Sequence, residues 1–256
     1  MKSPLPVRVL CPVVAAMALT SLLVVSANGS PLTGSGGTAL SAAADRSLLP
    51  RPTATDTTSR PRLGTPWFAD RVGGATQVIS VVGAGGSDAT VTTWQKSGSD
   101  WARVSGGISA KVGPPGISSS YGESSSATPA GVFGITGAFG RQADPGSGVP
   151  YFRVDGSDWW VSDVGSPLYN THQRCARGTC PFDESRSENL ADQGAVYDYA
   201  LVMGVNGQRV PGGGSAFFVH VTNGAATAGC VAVAASALVS IMRWVRPGAV
   251  IALTPR

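Results

Sequence analysis

The sequence predicts a mainly β protein with a single helix near its C-terminal end, and three observations carry that expectation. Short apolar runs with two-residue alternation recur between Gly- and Ser-rich turns. Charged residues make up only 13% of the chain while glycine numbers 34 and proline 18, a composition of turns and short strands. Only the segment from Ala235 to Val245 has a convincing helical period: Leu238, Ile241, Met242 and Val245 stand at i, i+3, i+4 and i+7.

At the N-terminus Lys2 and Arg8 precede an apolar run from Val9 to Val25, and small residues follow through Ala27. That is the layout of a secretory signal over residues 1–27, with Val25-Ser26-Ala27 as the cleavage region and Ala42-Ala43-Ala44 as a later alternative. The run is also near the lower limit for an uncleaved membrane anchor. Cys11 falls inside it. Residues 28–65 are rich in Ser, Thr, Gly, Ala and Pro and contain no aromatic, so they read as a disordered linker that cannot bury a core.

Order is expected over residues 66–256, beginning near Trp67-Phe68. Strands are expected at Thr76–Val82, Ala89–Gln95, Trp101–Val104 and Ile108–Val112. Pro129 and Gly131 force a turn into a strand. Tyr151–Val154 and Asp158–Val161 read as a hairpin about Asp155-Gly156-Ser157. Within its second half Trp159 and Trp160 point to opposite faces, so one at most belongs to the core and the other lines a cleft. Further strands are expected at Tyr197–Val205, Ala216–Val221 and Ala249–Leu253, and Arg246-Pro247-Gly248 ends the helix.

The net charge of +4 and pI near 9.1 suit an anionic surface such as a cell wall. No basic cluster is interleaved with aromatics, which argues against nucleic-acid binding. Export would leave three thiols in the mature chain, Cys175, Cys180 and Cys230. The Gly-containing turn between Cys175 and Cys180 favours joining them in an oxidising compartment. A zinc site built from His172, Cys175 and Cys180 competes, but the spacing matches no standard metal pattern. No metal and no cofactor is expected. Cys230 is then left outside the disulfide, where a spare thiol is a liability unless it is used.

The chemistry concentrates between Phe217 and Val233. His220 closes an alternating apolar run, Asn223-Gly224 signals a turn, and Cys230 follows Gly229. The segment is expected to fold back and bring His220 and Cys230 together at one end of a sheet. A thiol attacks as thiolate, and a neighbouring imidazole can take its proton. Gly229 allows close backbone approach, and N–H groups about Gly229 and Cys230 could face an oxyanion. The alternative is an inert core thiol beside a structural histidine.

Several runs resemble the L,D-transpeptidase catalytic family, the YkuD type, in a divergent actinobacterial branch. They are Thr128–Phe133, Trp159–Asp163 with Ser166–Asn170, Tyr197–Val202 and, above all, Ser215–His220 with Thr227–Ala232. The resemblance implies a β-sandwich-like fold in which Cys230 is the nucleophile and His220 the base, with a backbone carbonyl beside the histidine as third element. Gly229, Thr227, Tyr169 and Trp160 are the substrate-binding or oxyanion residues it suggests, and Arg141 or Arg153 the candidates for a substrate carboxylate. Asp163 and Asp198 are expected to be turn or surface acids. The activity implied is formation of 3→3 crosslinks between peptidoglycan stem peptides through a thioester, by an exported, wall-associated monomer. An L,D-carboxypeptidase and a silent wall-binding protein are the alternatives; Ala228 and Ala232, where the main branch has polar residues, favour the last.

Overall fold

The computed structural model describes residues 65–256. The expected signal segment 1–27, and the expected linker as far as residue 64, lie outside the described residues. Fourteen strands, two 3-10 turns and one α-helix follow in order. The first three strands, β1 (Gln77–Gly85), β2 (Asp88–Ser97) and β3 (Asp100–Lys111), form an antiparallel meander. The short β4 (Ile117–Ser118) and β5 (Thr128–Pro129) pair with each other, and β6 (Gly131–Gly140) and β7 (Tyr151–Arg153) follow. Three short strands, β8 (Asp158–Trp160), β9 (His172–Arg174) and β10 (Glu188–Asn189), make a separate sheet in the order β10-β8-β9. The chain ends with β11 (Ala200–Met203), β12 (Phe218–Val221), β13 (Val231–Val233), α1 (Ala235–Trp244) and β14 (Val250–Thr254).

The large sheet runs β11-β12-β13-β3-β2-β1-β14-β6-β7, and β11 also pairs with β6. The sheet therefore closes into a ring around one core, which removes the exposed edges between β6 and β11. The expected mainly β class with one helix after Cys230 is the class observed.

Alternation sorts the side chains. Val81, Val91, Leu201, Val219, Val231, Val233 and Ile251 point into the ring and pack with the helix residues Leu238, Ile241 and Met242. The opposite face carries a second cluster that includes Phe139, Ala200, Phe218 and Cys230. Phe68 is fully buried and meets Trp67, Trp94 and Trp101 edge-on at 5.2–5.8 Å between centroids. Each such pair adds about 0.5–1.5 kcal/mol beyond burial. The hydrophobic start expected at Trp67-Phe68 is thus tied to the meander.

Four expectations need correction. The two strands expected over 101–112 are one, because Gly106 and Gly107 (φ 69°) absorb a register shift against β2 without ending the pairing. The strand expected from Tyr197 is confined to Ala200–Met203, with Tyr197 ending a 3-10 segment, Ala191–Tyr197.

The expected hairpin of Tyr151–Val154 with Asp158–Val161 does not form: β7 runs parallel to β6, and β8 pairs with β9 and β10. The intervening turn is closed by side chains. The Asp155 N–H donates to Asp158 Oδ2 (2.7 Å), the Ser157 N–H donates to Asp155 Oδ1 (2.8 Å), and Arg174 bridges Asp155 and Asp158. Those bonds steer the chain into the second sheet. Both tryptophans are consequently buried, Trp159 with Val161 and Phe182 and Trp160 with Phe218 and Cys230, so both belong to the core, while Trp159 also lines a cleft as one of the pair was expected to.

Candidate active site

The strands β12 and β13 run parallel, with Val219 opposite Val231, His220 opposite Ala232 and Val221 opposite Val233. The fold-back expected after Asn223-Gly224 is not a hairpin, because this register makes β13 parallel to β12. After Val221 the chain returns alongside β13, with the Thr222 N–H donating to Val233 O (2.8 Å) and the Thr227 N–H to Val112 O (3.0 Å). Cys230 enters β13 two residues before Ala232, so the thiol and the imidazole emerge from adjacent strands on the outer face. Val219 and Val231 face the opposite way into the core.

His220 is 9% exposed, and its Nδ1 lies 2.9 Å from the carbonyl oxygen of Val221. A carbonyl only accepts, so Nδ1 carries the hydrogen and Nε2 keeps the lone pair. Burial pushes the imidazole pKa down to about 4, against a smaller upward pull from the Val221 hydrogen bond. The ring is therefore neutral at physiological pH and can accept a proton at Nε2.

Cys230 is 8% exposed and forms no disulfide. Its Sγ accepts from the Phe218 N–H (3.4 Å) and its thiol donates to Ala216 O (3.5 Å). Ala216 has φ 54° although it is not glycine. Its N–H points to Asn170 Oδ1 (3.4 Å), which also accepts from Trp160 Nε1 (2.9 Å), while Asn170 Nδ2 donates to Val205 O and Asn206 O. One amide thus links the Trp160 strand, the 205–206 turn and the residue facing the thiol.

The strand entry is fixed from below. Thr227 Oγ1 donates to Cys230 O (2.7 Å) and accepts from the Gly229 N–H (3.2 Å). Thr128 Oγ1 donates to the same Cys230 carbonyl (3.2 Å) and accepts from the Gly113 N–H (2.9 Å). Gly229 has φ 124°, a backbone that a Cβ would strain. Sequence reasoning gave Thr128 no role, since its partner is 102 residues away.

Of the other candidates, Trp160 packs edge-on against Phe218 at 5.0 Å. Tyr169 is buried, and its hydroxyl donates to Glu123, which also accepts from Ser215 Oγ (3.0 Å). Burial and the Glu123 carboxylate hold the Tyr169 phenol above its ordinary pKa. Tyr169 thus braces the segment leading to Ala216. Arg141 pairs with Asp198 (3.2 Å), and Arg153 Nε donates to Arg141 O (3.0 Å). Asp163 accepts the Gly165 and Asp183 N–H groups, as a turn acid does.

Cys175 and Cys180 are joined in a disulfide, with Cα atoms 5.3 Å apart. His172 turns away from them: its Nε2 is 2.8 Å from Oδ1 of the fully buried Asp158, and its ring stacks on Phe152 at 4.1 Å. A cleft of about 350 Å³ lies by the disulfide loop, lined by Trp159, Arg177, Glu184, Glu188 and Asp192 among others; neither Cys230 nor His220 lines it. No helix among the described residues is long and apolar enough to cross a membrane.

Neither a curated protein nor a solved structure matches the chain. A family model described as the L,D-transpeptidase catalytic domain, YkuD, matches residues 90–253. The match begins in β2, ends in β14, and contains His220, Cys230 and every residue shown above to hold them. With that match over more than half of its length, the chain belongs to the L,D-transpeptidase catalytic-domain family of cell-wall enzymes.

Proposed function

We propose that the protein is an exported cysteine acyl-transferase that forms 3→3 crosslinks between peptidoglycan stem peptides through a thioester on Cys230. The observation that carries the proposal is the placement of His220 and Cys230 on adjacent parallel strands, with Nδ1 committed to Val221 O and Nε2 left as the base.

In the first half-reaction Nε2 of His220 takes the thiol proton and the sulfur attacks the carbonyl before the terminal residue of a donor tetrapeptide. The Phe218 N–H already donates to Sγ and favours the thiolate. The tetrahedral oxygen is stabilised by the backbone N–H at Cys230, while the Gly229 N–H is committed to Thr227 Oγ1 and fixes the backbone there. Collapse breaks the peptide bond, the imidazolium returns its proton to the departing D-Ala amine, and a thioester remains. In the second half a side-chain amine of another stem attacks the thioester, gives a proton to His220, and displaces the sulfur as the new amide forms. Trp160 packs in the cluster that holds Cys230, and Tyr169 braces Ser215 through Glu123. The protein acts as a monomer at the cell envelope.

Incubating the purified protein with defined tetrapeptide muropeptides tests this reading. A crosslinked dimer with released D-Ala is the expected result. Tripeptide without dimer would make the protein an L,D-carboxypeptidase, and unchanged substrate with retained wall binding would make it a binding protein.

A further inference from the structure

Burial, not a charged neighbour, lowers the proton affinity of His220, so the side chain that covers the imidazole matters. Its β-strand neighbours in register are Ala200 and Ala232, both too small to cover a ring. The covering group is Tyr197, at the end of the 3-10 segment Ala191–Tyr197. Its ring lies 5.5 Å from the imidazole at 67°, and it also meets Phe218 at 5.6 Å and Phe139 at 5.3 Å edge-on. The ring is only 4% exposed. Its hydroxyl donates to Glu188 Oε1 (2.9 Å), on the edge strand β10 of the second sheet.

We propose that Tyr197 is a positioning residue for the catalytic base: it roofs His220, excludes water from the imidazole and presses it onto Val221 O, while Glu188 holds the roof closed. The inference rests on His220 being the base of the proposed reaction. It assigns the Ala191–Tyr197 segment a part in that reaction beyond packing.

The remaining ionisable groups about the imidazole do not supply the effect. Cys230 stands on the neighbouring strand. Asp198, which follows Tyr197, is paired with Arg141. Lys111 lies beyond Ala232 in the same row of the sheet and is paired with Asp88 at 2.6 Å. Loss of water, not a charge, is what lowers the proton affinity of His220.

The chain has two histidines, His172 and His220, so nitrogen-labelled histidine in the full-length protein reports both by NMR. A His172→Asn variant assigns the signals. In the wild type His220 is expected to titrate near pH 4. Tyr197→Ala should raise that midpoint by about one unit or more as water enters, and should slow carbapenem acylation of Cys230 at pH 5. Tyr197→Phe, which keeps the ring but loses the bond to Glu188, should raise the midpoint by less than Tyr197→Ala does.

The His172 signal, fixed by Asp158 and Phe152, reports whether each variant is folded. If Tyr197→Ala does not fold, Glu188→Ala removes the anchor and keeps the ring, and a smaller upward shift is expected. An unchanged His220 midpoint in the folded variant that is read overturns the proposal, as does a wild-type midpoint near 6.5. The titration uses no substrate, so a failed roof and a failed transferase reading are told apart. A shifted midpoint with no muropeptide turnover would remove the transferase and leave the roof.

Discussion

His220 hydrogen-bonds its own chain neighbour: Nδ1 lies 2.9 Å from the carbonyl oxygen of Val221. The ring is thereby fixed by the strand that carries it, and no carboxylate is needed to choose its tautomer. The proposed site is then a thiol, an imidazole and a carbonyl, on β12 and at the start of β13.

The buried imidazole ties stability to pH. Its folded pKa, about 4, is below the ordinary 6.5, so the unfolded chain binds the extra proton first. The stabilisation is complete above pH 6.5 and is lost as pH falls through 4, a window worth about 3 kcal/mol at order of magnitude. Urea midpoints at pH 7 and pH 4 should fall further apart for the wild type than for His220→Leu. Equal separation in the two would contradict the assignment.

Cys230 should be the acylated residue. Intact-mass spectra of the protein with a carbapenem should show one covalent adduct, absent from Cys230→Ala, as membership of the family implies. A full adduct on the alanine variant would remove Cys230 as nucleophile.

Asn170 should resist replacement for two separable reasons. It has φ 55°, and its amide holds Trp160, Ala216, Val205 and Asn206. Asn170→Ala should cost about 2–4 kcal/mol through the lost hydrogen bonds and the left-handed backbone. Asn170→Gly loses the same bonds but not the backbone freedom, so it should be about 1 kcal/mol less damaging. Chemical denaturation measures both, and a glycine variant no better than alanine would remove the backbone argument.

Thr128 and Thr227 should behave as one unit, because both hydroxyls serve the Cys230 carbonyl. Each threonine-to-valine change should cost about 1–3 kcal/mol and slow acylation by the carbapenem. The double variant should deviate from the sum of the singles. Strict additivity would mean that the two hydroxyls act separately. Thr227→Ser should restore acylation.

The parts of this site that could be read from the sequence are those whose cause is local. The alternation of Phe218, Val219 and His220 announces a strand, Gly229-Cys230 announces a close approach, and Leu238 to Val245 announce a helix. What could not be read depends on distant partners. Nothing local to Thr128 points to Cys230, and nothing local to Tyr169 points to Glu123. The Asp155-Gly156-Ser157 turn looks like a hairpin tip, yet Arg174 and Asp158 redirect it. The parallel run of β12 and β13 was likewise hidden, since a turn signal at Asn223-Gly224 does not say where the chain will dock afterwards.

The alternation along β12 and β13 makes chemical competence conditional on correct folding. Phe218, His220 and Cys230 face outward while Val219 and Val231 face the core. A slip of one residue in either strand would turn a reactive group into the aliphatic cluster and set a valine in its place on the aromatic side. A chain that threads these strands wrongly therefore separates the thiol from the imidazole, so a misfolded copy loses the pair instead of presenting it in a loose form.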